Sequence, residues 1–265
     1  MAELAVTFSR RFGATSRRDR WWATPLAVVL GLGTFVVYAM WAGFQGAHYH
    51  FGPYLSPMYS PELFGDSPHS WFGPKPGWWP AALPFSPTFL IIGGPLGFRF
   101  TCYYYRGAYY KAFWADPLSC AVGEPRTKYL GEQWFPLLIQ NIHRYFLYIA
   151  LIFNVILTYD AVVAYRFADP ASGTRFGIGV GSLVLTVNAV LLAIYSFSCH
   201  SLRHLVGGCL DCVSTARDGG ATYACVSALN RRHMLFAWIS LVWVAFTDIY
   251  IRLCSMGIWS DLRIL

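Results

Sequence analysis

The sequence predicts an all-α protein, a polytopic membrane bundle of five transmembrane helices. Three observations carry that reading. Of the 265 residues, 56% are hydrophobic and only 12% charged, with a mean hydropathy of +0.42, far from the composition of a soluble domain. Apolar residues gather into five runs of about twenty, the length a helix needs to cross roughly 30 Å of hydrocarbon. Basic residues sit on the N-terminal tail and on every second connection, as the positive-inside rule requires. The formal charge of +7 is thereby explained by topology, and a nucleic-acid partner is not expected. Seven cysteines do not pair evenly, and Cys102 and Cys199 lie in apolar runs, which favours reduced thiols or metal ligands over a disulfide framework.

Taken in order, residues 1–20 carry Arg10, Arg11, Arg17, Arg18 and Arg20, with no small-residue cleavage site after the next apolar run, so the tail is expected to stay cytoplasmic. The first span covers about 24–42, with Trp21, Trp22 and Trp41 where an aromatic belt would put them. His48 to Ser86 is a Pro-, Ser- and aromatic-rich loop, long enough to be functional or packed across a surface. The second span, 87–109, is weaker because it holds Arg99 and several glycines, and it leaves through Arg106 and Lys111. Asp116, Cys120, Glu124, Arg126 and Lys128 follow, and Trp134 opens a third span over 134–165. A short loop with Asp169 and Pro170 leads to the fourth span, 176–201. Arg203, Arg217, Arg231 and Arg232 mark the next loop as basic, and the fifth span is 233–252. The charges place the N-terminus inside and the C-terminus outside.

Spans two and three echo spans four and five. FRFTCYYYR at 98–106 and YSFSCHSLR at 195–203 share an aromatic, Phe, hydroxyl, Cys and Arg in register. The echo continues with His143, Phe146, Ile149 and Leu151 against His233, Phe236, Ile239 and Leu241. Each half therefore supplies one Cys and one His. Cys102 and Cys199 lie four residues, about 6 Å, before the basic residues that end their helices. His143 and His233 belong to helices that begin on the same side, so all four can meet at one depth as a Cys2His2 site on a pseudo-twofold axis. Two other readings compete: packing cysteines with headgroup-facing histidines, and a compact local site from His200 and His204 with the single CxxC at Cys209 and Cys212. A membrane transporter built on the helix-pair repeat is a further alternative.

HYHFGPYLSPMYSPE, FRFTCYYYRGAYYKAFW, QNIHRYFLY and CHSLRHLVGG together make the chain resemble the membrane-anchor subunit of the actinobacterial three-subunit succinate dehydrogenase, respiratory complex II. The resemblance implies flavoprotein and iron-sulfur partner subunits, a lipid-embedded location in a bacterial plasma membrane, and a Rieske-type 2Fe-2S cluster. Carried onto this chain, it implies Cys102 and Cys199 on one iron and His143 and His233 on the other. Haem b is the competing cofactor, with His143, His200 and His233, joined by His48 or His50, as axial candidates. The electron acceptor would be a membrane quinone, menaquinone in the first instance. An outer quinone site would use His48, Tyr49, His50 and Tyr54, with Asp160 or Asp248 relaying protons; an inner one would use Arg99, Tyr103 or Trp134. The chain has no Gly-rich dinucleotide fingerprint, so it is not expected to be catalytic alone.

Overall fold

The computed structural model describes residues 11–125, 134–135, 137–171, 173–207 and 220–265. The protein is mostly helical. Among the described residues, four helices are long and apolar enough to cross a membrane. The first is α1 (Ala23–Gln45); the others, Leu138–Val163, α6 (Val180–Phe197) and α9 (His233–Ser255), correspond with shifted ends to the expected spans 134–165, 176–201 and 233–252. Leu138–Val163 joins a 3-10 turn (Leu137–Ile142) to α5 (His143–Val163). Trp134 lies before that turn and is exposed. Carbonyl groups inside these helices are satisfied along the chain, and Leu30, Val37, Val155, Val162, Val190 and Val242 point outward, as a lipid-facing surface needs.

The expected span 87–109 is not one helix but three: α2 (Thr88–Ile91), α3 (Gly93–Thr101) and α4 (Tyr103–Ala112). Pro95 has no N–H to offer the carbonyl of Ile91, which is where α2 stops. The second break is Cys102, whose extended backbone (φ −59°, ψ 131°) interrupts the helical ladder.

Among the described residues, the departures from an all-helical fold are two short antiparallel hairpins. In one, β1 (His50–Phe51) pairs with β2 (Tyr54–Leu55); in the other, β3 (Arg166–Asp169) pairs with β4 (Gly173–Phe176) and takes the first residue of the expected fourth span. Two shorter helices, α7 (His200–Gly207) and α8 (Ala221–Asn230), lie before α9.

Within the bundle α6 packs between α5 and α9, α3 packs on α5, and α1 lies against α4 and α9. Glycine lets α3 approach α5 closely: a Cβ on Gly97 would lie 2.1 Å from the Phe146 ring. Among the described residues, two larger apolar clusters fill the interior, beside a smaller one of Tyr49, Leu55 and Tyr59 in the long loop. One of the larger two surrounds Cys102 and Cys199 with Phe98, Leu147, Tyr195 and Ala237; the other, at the opposite end, joins Tyr54, Phe167, Leu185, Tyr250 and Ile251.

The long loop closes that opposite end as a strap. Tyr49 stacks on Tyr59 at 4.3 Å and donates to buried Glu62 at 2.8 Å, while Tyr59 donates to the Ala42 carbonyl at 2.6 Å. Ser56 donates to Asp248 on α9 and Ser60 to Asp160 on α5, so five residues of loop tie the two helices together. Asp248 also pairs with Arg252 at 3.2 Å, with side chains 0% and 5% exposed, and Arg252 donates to the Ala47 carbonyl.

Candidate metal centre and adjoining cavity

Both cysteines sit where one helix ends and another begins. Cys102 lies between α3 and α4, and its carbonyl accepts the first bond of α4 from Arg106 N at 2.8 Å; Cys199 lies between α6 and α7, and its carbonyl accepts from Arg203 N at 3.1 Å. Such a junction sets the side chain beside the first-turn N–H groups of the next helix, which have no partner within that helix. Cys102 and Cys199 are 1% exposed, and His143 and His233, at the starts of α5 and α9, are 8% and 9% exposed.

The structure brings these four residues together as two pairs. His143 Nε2 lies 3.1 Å from Cys199 Sγ, and His233 Nε2 lies 3.3 Å from Cys102 Sγ. Each histidine thus reaches the cysteine of the other half of the sequence. Its remaining nitrogen meets a hydroxyl of its own half: His143 Nδ1 is 2.7 Å from Thr101 Oγ1, and His233 Nδ1 is 2.7 Å from Ser198 Oγ. Phe98 stacks on His143 (4.9 Å, 9°) and Tyr195 on His233 (5.2 Å, 15°). Thiols and imidazole nitrogens are ligands for zinc, copper and iron–sulfur centres. Among the described residues no three His, Cys, Asp or Glu converge to hold a single ion, so the donors stand as pairs.

A cavity of about 170 Å³ adjoins the centre, with walls from α1, α3, α5 and α6 and a floor made by Pro57 and Met58 of the strap. Phe98 and Tyr195 belong to its wall as well as to the imidazole stacks. Its polar groups are few. Arg99 donates to Tyr105 Oη (3.0 Å), the Ala237 carbonyl (3.3 Å) and Ser240 Oγ (3.1 Å), with its guanidinium over the Tyr195 ring at 4.7 Å. The Tyr195 hydroxyl and the Asn154 amide nitrogen are buried without a hydrogen-bond partner. Leu96 and Ile92 on the rim are exposed, so the cavity opens sideways.

The other sequence candidates lie apart from this group. Tyr54 donates to Asp261, Tyr49 to Glu62, and His48 faces Ser255 Oγ at 3.4 Å. Burial, and then neighbouring His69, hold the pKa of His50 below its ordinary 6.5, with Glu62 pulling weakly the other way. Asp160 and Asp248 lie behind the strap. Tyr103 is exposed and stacks on His200, away from Arg99. His200 and His204 are exposed, with Nε2 atoms 3.0 Å apart; Cys209 and Cys212 lie outside the described residues. Reading the sequence missed Phe98, Tyr195, Thr101, Ser198 and Asn154. The signal for the first four was in the echo itself, at offsets of four and one before each cysteine.

Residues 23–257 match the family described as actinobacterial succinate dehydrogenase subunit SdhC. Among solved structures, the chain is similar to one from the Mycobacterium smegmatis Sdh1 complex in the apo form, with 45% identity over 95% of this chain and 94% of that one and a TM-score of 0.85. No match is found among curated proteins. A match over nearly the whole length, together with a fold of membrane-length helices, shows that this chain belongs to the SdhC family of actinobacterial succinate dehydrogenases and is a subunit of that enzyme complex.

Proposed function

We propose that this subunit docks the flavoprotein and iron-sulfur subunits at a bacterial plasma membrane and carries their electrons to a quinone through a Rieske-type 2Fe-2S cluster. Cys102 and Cys199 would hold one iron, His143 and His233 the other. The observation that carries the reading is the crossed pairing, with each imidazole Nε2 3.1 or 3.3 Å from the thiol of the other half. Two sulfurs and two nitrogens also make up single-zinc sites; what favours a two-iron group is that, among the described residues, no three of these donors converge on one ion. When bound, such a cluster supplies one-electron transfer at a potential above that of an all-cysteine cluster. The chain's own part is to hold the four donors in a buried site and to keep a quinone beside them.

The cavity is the proposed quinone site, with menaquinone as the expected occupant. Its apolar wall suits the ring and tail, its rim at Leu96 opens towards lipid, and Arg99 and Tyr195 are hydrogen-bond donors for a carbonyl. Asp160 and Asp248 hold the strap whose Pro57 and Met58 form the floor, which suits them to hand on protons through Ser60 and Ser56. In the proposed topology the N-terminus is cytoplasmic, α2 to α4 form a broken span that makes five crossings, and spans two and three repeat as four and five.

Haem b is the weaker reading. His143 and His233 each present Nε2 to a thiol and Nδ1 to a hydroxyl, His200 and His204 face each other on one exposed helix, and His48 faces Ser255. Electron paramagnetic resonance of the dithionite-reduced complex, beside its visible spectrum, tests the proposal. A Rieske-type signal of low average g, lost in a His143→Ala, His233→Ala variant, is expected. Sharp haem b bands without that signal would overturn it.

A further inference from the structure

Thr101 and Ser198 each have two partners, a carbonyl and an imidazole, and the carbonyl fixes the direction of both hydrogen bonds. Thr101 Oγ1 lies 2.7 Å from the Gly97 carbonyl oxygen and 2.7 Å from His143 Nδ1. A carbonyl can only accept, and a hydroxyl has one hydrogen, so that hydrogen goes to Gly97. The Thr101 oxygen is left as an acceptor, and Nδ1 must donate. A neutral imidazole carries one N–H, so Nε2 is bare and presents its lone pair towards Cys199. The second half of the chain is built the same way from different residues. Ser198 Oγ donates to the Tyr195 carbonyl at 2.8 Å, accepts from His233 Nδ1 at 2.7 Å, and leaves Nε2 facing Cys102.

From this we infer that Thr101 and Ser198 are positioning residues that fix Nε2 as the metal-binding atom of His143 and His233 and occupy the only N–H of each ring. The inference rests on the cluster reading above. Each ring is held at its Nδ1 edge by a hydroxyl and on one face by the aromatic residue three positions before that hydroxyl, Phe98 or Tyr195, so only the Nε2 edge remains for a ligand bond. A ligand histidine whose other nitrogen donates a hydrogen bond is a more basic ligand, and losing such a partner weakens metal binding about 10–100-fold. Neither imidazole has an N–H left for a quinone carbonyl. Hydrogen bonding to the quinone falls instead to Arg99 and Tyr195, and the histidines serve electron transfer alone.

The test uses the whole purified complex, with Thr101→Val and Ser198→Ala to remove each hydroxyl and Thr101→Ser and Ser198→Thr to keep it. The readouts are the midpoint potential of the Rieske-type signal, the nitrogen couplings in its pulsed spectrum, and iron retained against a chelator. Removal of either hydroxyl is expected to raise the potential, alter the coupling of the remote nitrogen and speed iron loss, while the hydroxyl-keeping variants match wild type. Wild-type potentials and couplings in Thr101→Val and Ser198→Ala would overturn the inference. So would equal iron loss in the hydroxyl-keeping variants, because packing alone would then be responsible. Absence of the signal from the wild-type complex would instead sink the cluster reading.

Discussion

Arg99 is the costliest side chain in its apolar run to bury, and three donated hydrogen bonds and the Tyr195 ring account for its place there. If it also meets the quinone carbonyl, Arg99→Gln loses a charge-assisted bond of about 1.5–3 kcal/mol, or roughly 10–100-fold in quinone reduction, with the cluster signal intact. His50→Ala is expected to leave that rate within about twofold. Steady-state kinetics on both variants compares them, and the reverse result would move the quinone to the loop. His50 has a different expected effect. Its pKa is depressed in the fold, so the unfolded chain binds more protons just below pH 6.5 and stability rises with pH through that window. The hairpin at 50–55 should be most protected above pH 6.5 and should loosen as pH falls below it. Hydrogen exchange, corrected for intrinsic rates, at pH 7.5 and 5.5 checks this, and His50→Gln should remove the difference.

At the scale of elements, the contact of α3 with α5 depends on a missing side chain. Gly97→Ala places a methyl group inside the Phe146 ring, an overpacking that costs about 1–3 kcal/mol, and Phe146 is one turn from His143. A lower thermal midpoint and a broadened cluster signal are expected, whereas Gly93→Ala, which meets nothing within 4 Å, should change neither. At the other end, Asp248→Ala leaves Arg252 buried without its partner and should cost roughly 3–5 kcal/mol, more than the same change at half-buried Asp160. Thermal unfolding of the two variants ranks them. The four long helices were legible because an uninterrupted apolar run has no other way to satisfy its backbone in lipid. The break at Ile92 was signalled only by Pro95 within the run, and the one at Cys102 by nothing local, since hydropathy averages over a turn and the apolar pattern continues through both. Cys102, His143, Cys199 and His233 stood out because they recur in register. That the 48–86 loop packs across a surface was readable from its length, but its fastenings were not, because the bonds of Ser56 and Ser60 join residues 192 and 100 positions away and no local pattern records such a pairing.

At the scale of the whole molecule, the proposed orientation makes Cys120 cytoplasmic. It is an exposed free thiol on the connection after α4. A membrane-impermeant maleimide is expected to label it in inside-out vesicles and not in intact cells, with the site read by mass spectrometry; the opposite pattern would invert the topology. Arg231 and Arg232 are exposed at the same end, just before α9. Reversing both charges should loosen the soluble subunits, so that less salt strips them from the membrane. The cysteine–histidine group and the cavity are meanwhile not separate rooms. Phe98 and Tyr195 form a party wall, with one side on an imidazole and the other on the cavity. An inhibitor that leans on either ring therefore leans on a histidine, and if that histidine holds the proposed cluster, the cluster's line shape becomes a gauge of which molecule has entered next door.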